Sequence, residues 1–559
     1  MRPPLIPLDT VLGYHQRTKH HFQRYAAGPG ELDWDSQPDP FRTFADSPQL
    51  ALPLLGEQAQ PPQAPYRDLH QTGLIAPQAQ TLHNIAAVLE LSFGISAWKE
   101  FAGSRWALRC NPSSGNLHPT EAYLVVEACS GIRDGVHHYN SHAHVLEQRC
   151  LWARPSNSDQ RLLPPDSFLI GMSSIHWREA WKYGERAFRY CQHDLGHAIA
   201  AVRYAAAAFG WKVRLLGNCG DAQIGALLGL DRLEDYGLAE REQPDLILQV
   251  ATSHSRSYSD NDTVADTPDG LRALADAARR GQWHGHANVL TRHKLDHWPV
   301  IDEVADACRK PETSATQWQP PVRPPLLDSP CEKSAADIIR QRRSAQAFDK
   351  VSSISAATFF RMLDATLPRA AVAPWDAITW QPRIHLVLFV HRIDGLAPGL
   401  YLLLRNDQAE TLLRKELSSD FEWQPVAGCP PHLQLFRLVS ANVQNIARAL
   451  CCHQDIAADG AFSLGMLAEY ETSLADSPWV YRHLFWEAGM LGQVLYLEAE
   501  AAGVRGTGIG CYFDDELHDR LGIQGQALQS MNHFTVGGAL IDARLQTLPA
   551  YGHLGGITG

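Results

Sequence analysis

The chain is short of positive charge: 49 lysines and arginines face 61 acidic residues, a formal net charge of −12. That balance excludes a protein held to nucleic acid through phosphate contacts. No apolar run approaches the roughly 18 residues a membrane span requires. The opening Met1-Arg2-Pro3-Pro4 lacks the basic-then-apolar layout of a secretory signal. The expectation is a cytoplasmic protein with neither a membrane nor a nucleic acid as partner. The 11 cysteines are dispersed without any Cys-x-x-Cys, and the neighbours Cys451 and Cys452 cannot readily bridge, so reduced thiols are expected. Among 26 histidines there is no His-Glu-x-x-His, and His284-Gly285-His286 has no carboxylate or thiol at ligand spacing. No metal site is expected. What the chain does have is 559 residues at 45% hydrophobic, 20% charged and 9% aromatic. That is the composition of a globular enzyme of two to four domains.

An internal repeat decides the domain count. Arg186 to Leu230 aligns with Trp479 to Ile523 at a constant offset of 293, without a gap and with nine identities in 45 positions. They include Arg189/Arg482, Gly196/Gly489, Gly210/Gly503, Asp221/Asp514 and Gly229/Gly522. Both copies read as a long Ala-rich helix ending at a glycine, a short strand into a glycine-bearing turn, and a helix closing on Leu-Gly-Leu or Leu-Gly-Ile. Two related domains are the economical explanation. We place them at 1–262 and 334–559, joined by a surface connector over 263–333 that carries a helical patch around Leu271 to Arg280 and then the proline-rich Gln319 to Pro325.

The second domain opens on a helical pattern, Ser334 to Arg343, ending in Arg342-Arg343-Ser344. Two guanidinium forks and a hydroxyl there suit a phosphate, although a solvated basic helix end has the same composition. In the first domain, Asn111-Pro112-Ser113-Ser114-Gly115-Asn116 precedes the apolar strand Ala122 to Val126. Such a loop offers N–H groups and small polar side chains to a planar ligand.

In these residues the chain resembles the FMN-dependent nitroreductase superfamily, whose subunits pair so that each FMN lies across the dimer interface. The resemblance implies that Arg342, Arg343 and Ser344 hold the FMN phosphate, while Pro112, Ser113, Ser114 and Asn116 face the flavin ring. Gly506-Thr507-Gly508-Ile509-Gly510-Cys511-Tyr512 is similar to the family's flavin-edge turn, which assigns Gly508, Ile509 and Gly510 to the cofactor. Phe534 to Arg544 is similar to its closing strand, whose final arginine, Arg544, is expected to reach the phosphate. Trp181-Lys182-Tyr183-Gly184-Glu185-Arg186-Ala187-Phe188-Arg189-Tyr190, followed by Asp194-Leu195-Gly196-His197, resembles the SagB-type dehydrogenases, a branch that includes azoline oxidases and that uses a Lys-Tyr pair in proton transfer. Lys182 and Tyr183 take that role here by resemblance, against a plain reading as an aromatic helix start with a snorkelling lysine.

The implied fold is α+β: two nitroreductase-like three-layer α/β/α domains, each with a mixed, largely antiparallel sheet, fused as an intramolecular pseudo-dimer. The departures are complementary. Domain one has Pro65-Tyr66-Arg67-Asp68-Leu69-His70 where Arg-Arg-Ser should lie; domain two has Trp375-Asp376-Ala377-Ile378-Thr379 in place of the Pro-Ser-Ser loop and Ala475-Asp476 in place of Lys-Tyr. The expectation is therefore one composite FMN site in a monomeric chain, serving a dehydrogenase of a small-molecule or peptide substrate, with oxygen or another acceptor taking the electrons on. Two alternatives stand beside it. One is an NAD(P)H-dependent reductase of nitro compounds or quinones, which the absence of a Rossmann fingerprint does not exclude. The other is a degenerate flavin-fold scaffold.

Overall fold

The computed structural model describes residues 7–555 except 57, 72, 153–160, 254–267, 293–295, 315–317 and 476. Two sheets organise it. Across the first, the order is Gln282–Trp283, Val145–Leu151, Gly135–Asn140, Thr120–Val126, Ser167–Ser174, Gln243–Ala251 and Lys212–Leu215, with Gln49–Ala51 also on Val145–Leu151. Across the second, it is Gln424–Pro425, Gln434–Ser440, Gly399–Leu404, Ile384–Val390, Phe462–Glu469, Leu528–Gly537 and Arg505–Ile509. Both are antiparallel at every described pairing, so the mixed sheet expected from the resemblance is in fact uniform in direction.

Alternation along the central strands creates the three layers. In Thr120–Val126 every residue is buried; Ala122, Leu124 and Val126 face one core while Tyr123 and Val125 face another. The first core contains the helices α1 (Leu82–Phe93) and α2 (Ala187–Ala207), and the second contains Ile224 and Leu227 of Asp221–Leu228. The other unit repeats the arrangement: Leu386 and Leu388 pack with α3 (Val480–Ala501), Val387 and Phe389 with Leu413 and Leu517.

The repeat identities lie where the units meet. α2 and α3 pack together, and Gly196 and Gly489 are their point of closest approach: a Cβ on Gly196 would stand 2.1 Å from the Trp486 carbonyl oxygen, and one on Gly489 would stand 2.0 Å from that of His193. Arg189 of the first unit pairs with Asp514 of the second at 2.8 Å, and Arg482 of the second with Asp221 of the first at 2.9 Å. Such reciprocal contacts define a two-fold interface. Gly210 and Gly503, at φ +68° and +74°, turn the chain out of these helices as the sequence pattern requires.

The stretch taken as a surface connector is different from expectation where it is described; Thr263, its start, lies outside the described residues. The helix Pro268–Arg280 buries Leu271, Leu274 and Ala278 in the second core, and Gln282–Trp283 adds a strand to the first sheet. Val300, Ile301 and Val304 of Pro299–Ala307 enter the main core. Their apolar periodicity has a face to bury: the helix Asp221–Leu228 receives the first, and the helices Pro7–Arg17 and α2 receive the second. The second unit also returns to the first: Gln546–Leu548 pairs with Ile95–Phe101, which in turn pairs with Ser104–Arg109. Among the described residues, no helix is long and apolar enough to cross a membrane.

Candidate functional site

A cavity of about 510 Å³ opens between the units and draws its walls from both. From the second unit come Arg342, Arg343 and Ser344. The helix Ala335–Gln341, capped by the Ser334 side chain on the Asp337 N–H, ends there because Arg342 turns to φ −51°, ψ 127°. Arg342 is buried, donates to the Arg109 carbonyl at 2.9 Å and lies 5.1 Å from the Tyr496 ring centroid. Its Nε is buried without a hydrogen-bond partner among the described residues. Ser344 Oγ and the Tyr496 hydroxyl are 2.9 Å apart, and that hydroxyl accepts the Gly508 N–H at 2.9 Å.

Lys99 and Arg505 join Arg342 and Arg343 in a cluster of four cations, in a lining that also includes Arg109. Burial, then Arg343 and Arg505, hold the Lys99 ammonium below its ordinary range; burial, then Arg342, bring the Arg343 guanidinium down to about 10. Glu500 stands 3.8 Å from Arg505 and offsets part of this charge; one carboxylate against four cations leaves an excess of positive charge in a half-buried wall, and that excess fits a phosphate. Beside it, a Cβ on Gly508 would have only the Tyr496 hydroxyl near it, at 3.9 Å, so the backbone lies open to a flat ligand. Ile509 and Gly510 continue that wall.

From the first unit come Pro112, Ser113, Ser114 and Asn116. Gly115 and Asn116 take left-handed backbone, φ +59° and +61°, which folds the loop back on itself. Ser113 Oγ accepts the His118 N–H at 2.8 Å, and Asn116 Nδ2 donates to the Ala107 carbonyl at 2.9 Å. The Asp194 carboxylate of α2 accepts both the Ser114 N–H, at 3.0 Å, and its hydroxyl, at 2.9 Å. Tyr183 covers this loop so closely that a Cβ on Gly115 would stand 2.5 Å from its hydroxyl oxygen. Burial, then the carboxyl of Glu179, raise the Tyr183 phenol well above its ordinary range. Glu179 itself is pushed well up by burial and then Asp194, and neither of its oxygens has a hydrogen-bond partner among the described residues.

Two expected residues stand apart from the lining. Lys182 lies behind it, half-buried, with Nζ 5.4 Å from the Tyr183 ring centroid. Arg544 turns outward: its side chain is 74% exposed and its guanidinium is taken by Asp542 at 2.7 Å, two residues earlier, so it does not reach the cation cluster. Arg505 stands there instead, one residue into the strand Arg505–Ile509, where the alternation of a strand could have flagged it. Tyr190, His193, Asp194 and His197 were also missed. Tyr190, Asp194 and His197 lie within the motif that resembles the SagB-type branch but were given no role, and all four follow Tyr183 at near-helical intervals.

A second cavity, of about 520 Å³, occupies the position related by the repeat. Arg203 stands where Tyr496 does in the first, and its Nε and Nη2 clamp both oxygens of Asp376 at 2.8 and 2.9 Å. Asp68 and Thr379 also line it. An internal ion pair therefore stands there, in a lining that also holds Lys212 and Arg214. Of the Ala475-Asp476 counterpart to Lys-Tyr, Asp476 lies outside the described residues.

No protein-family model matches the chain. A stretch of 112 residues is 36% identical to the trifolitoxin-processing protein TfxB of Rhizobium leguminosarum bv. trifolii, covering 18% of this chain and only 29% of that protein's length. Another, of 165 residues, is 23% identical to the "Putative nitroreductase MJ1384" of Methanocaldococcus jannaschii, covering 28% of this chain and 77% of that one. The crystal structure of a "putative nitroreductase" from Anabaena variabilis ATCC 29413 superposes with a TM-score of 0.64 at 20% identity, over 95% of this chain and 99% of that one. The fold of the whole chain is thus nitroreductase-like.

Proposed function

We propose that this chain is an FMN-dependent oxidoreductase, a dehydrogenase of a peptide or amino-acid-derived substrate, with one FMN in the composite cavity. The observation that carries the reading is that the four-cation cluster and the Pro112–Asn116 loop, brought by opposite units, line one cavity. Lys99, Arg342, Arg343, Arg505 and Ser344 hold the phosphate; Gly508 to Gly510 and the loop border the ring. Bound there, FMN supplies a two-electron acceptor for hydride. Tyr183 is the group of the Lys-Tyr pair that meets the substrate, a neutral phenol whose oxygen accepts the substrate's proton as its own hydrogen passes to Lys182, the base of the pair. Lys182 and Glu179 lie behind it and set its proton balance. Asp194 keeps the loop in place through Ser114. The likeness to a protein that processes trifolitoxin favours a substrate modified on its way to a final product over a nitro compound or a quinone.

The test is reconstitution with excess FMN, removal of the unbound fraction, and measurement of flavin per chain. One mole per mole is expected, with Lys182→Ala retaining flavin and losing substrate oxidation. Two moles, or none, would overturn the composite site. Rapid NADPH consumption with a nitro acceptor, undiminished in Lys182→Ala, would replace the dehydrogenase by the reductase.

A further inference from the structure

Eight of the 11 cysteines are buried; Cys429, Cys452 and Cys511 are half-exposed, and the last two touch. Cys511 lines the cavity at the end of the strand Arg505–Ile509. Cys452 belongs to a separate turn, from Cys451 to Gln454, that the fold lays against it. Two hydrogen bonds cross between the two segments, and a third braces the turn. The Phe513 N–H donates to the Leu450 carbonyl at 2.8 Å, and the single amide nitrogen of Gln454 donates to the carbonyls of Cys451 at 2.9 Å and Cys511 at 3.0 Å. Cys452 and His453 sit in left-handed backbone, φ +51° and +59°, so the turn is tight and presents the Cys452 sulfur.

We propose that Cys452 and Cys511 are a reversible dithiol–disulfide couple in the wall of the cavity. The two sulfurs are neighbours at the edge of the cavity. Cys511, which lines the cavity where Cys452 does not, is the sulfur an entering reagent meets, and the Arg186 guanidinium beside the pair favours a thiolate there. Arg186 is held in place by donating to the Gly510 carbonyl at 3.3 Å and to Asp514 at 3.2 Å. Thiols already in contact need only a small closing movement to reach the S–S separation of about 2.05 Å.

The oxidant is a low-molecular-weight disulfide entering by the cavity. The Cys511 thiolate attacks one of its sulfurs, the reagent's S–S bond breaks, and one thiolate leaves. The Cys452 sulfur then attacks Cys511, the mixed disulfide breaks, and the Cys452 proton passes to the departing thiolate. The two protein sulfurs are oxidised by two electrons, and one small disulfide is reduced to one thiol, which carries the Cys452 proton, and one thiolate. In a reducing compartment such a bond is transient, which suits a sensing or regulatory pair. The inference rests on the thiols alone and holds whether or not the cavity takes FMN.

The reduced full-length chain is incubated with oxidised glutathione, its remaining thiols are alkylated, and its peptides are mapped by mass spectrometry. Loss of two thiols per chain with a Cys452–Cys511 cross-linked peptide is expected, reversed by dithiothreitol. Cys452→Ser should stop at a glutathione adduct on Cys511, and Cys511→Ser should leave Cys452 free. A lasting adduct on Cys511 of the unmutated chain, a bridge from Cys511 to Cys451, or full alkylation at all 11 positions would overturn the proposal. The map of the unmutated chain decides the matter even if a variant fails to fold.

Discussion

At the residue scale, the site turns on which arginine faces the cavity. Arg505 and Arg544 are both available to the second unit, but only Arg505 lines the wall; Arg544 is exposed and engaged with Asp542. A hydrogen bond to a charged group contributes about 1.5–3 kcal/mol, or roughly ten- to a hundredfold in affinity. Arg505→Ala and Arg342→Ala should therefore weaken FMN binding by about that factor, whereas Arg544→Ala should leave it within about twofold. Fluorescence titration of the reconstituted protein measures all three. Strong loss in Arg544→Ala would mean that the tail swings inward when the cofactor binds. At Tyr183, Phe removes the hydroxyl while keeping the ring above Gly115. Turnover should then fall at least tenfold with flavin content unchanged.

At the scale of elements, the helix His176–Tyr183 is tied to the first sheet by a chain of charged groups. Arg178 donates to the His118 carbonyl at 2.7 Å and pairs with Glu121; His138 lies between Glu121, at 3.0 Å, and Glu147, at 2.9 Å. Burial alone would lower the His138 imidazole, but hydrogen bonds to the two carboxylates raise it to about 9. Its folded value lies above its unfolded one, so it contributes stability that is complete below about pH 6.5. That stability is lost as pH rises through 9. The melting temperature should decline over that window, and His138→Gln should flatten the decline; an equal slope in both proteins would contradict it. The α2/α3 crossing gives a second element-scale expectation. Gly196→Ala places a methyl group 2.1 Å from a backbone oxygen that cannot rotate away, so the helices must separate. A loss of about 1–3 kcal/mol or more in denaturant unfolding is expected.

At the scale of the molecule, the fused halves work as partners whose two cavities have diverged. The interface keeps its reciprocity, Arg189 with Asp514 and Arg482 with Asp221, because each pair is buried and neither charge is tolerable alone. Asp514 also accepts Arg186, so Asp514→Asn leaves two buried guanidinium groups with reduced compensation. That variant should lose about 3–5 kcal/mol, and Asp221→Asn less. Equal losses would argue that the interface is as symmetric in energy as in layout. The cavities are not symmetric. In the second, Asp376 clamps Arg203 with both oxygens, whereas the first gathers Lys99, Arg342, Arg343 and Arg505 around the one carboxylate of Glu500.

Much of this was written in the chain. A fixed offset of 293 identified the long helices, the glycines that end them and, unrecognised as such, the glycines and ion pairs where the units touch. Local patterns sufficed there, since helix periodicity, capping and left-handed glycines depend on neighbours within a few residues. Eleven of the 13 site residues named from motifs line the first cavity for the same reason: each motif is a short, contiguous segment. Three features were decided only by tertiary structure. The stretch after residue 267 packs into the first unit because the helices and sheet of that unit offer it apolar faces. Arg544 yields its place to Arg505 because the tail leaves the second unit and pairs with Ile95–Phe101. Cys452 and Cys511, 59 positions apart in the sequence, come into contact because a turn and a strand end are pinned together by one glutamine side chain. Contacts between distant segments depend on how the elements pack, and no local pattern encodes that.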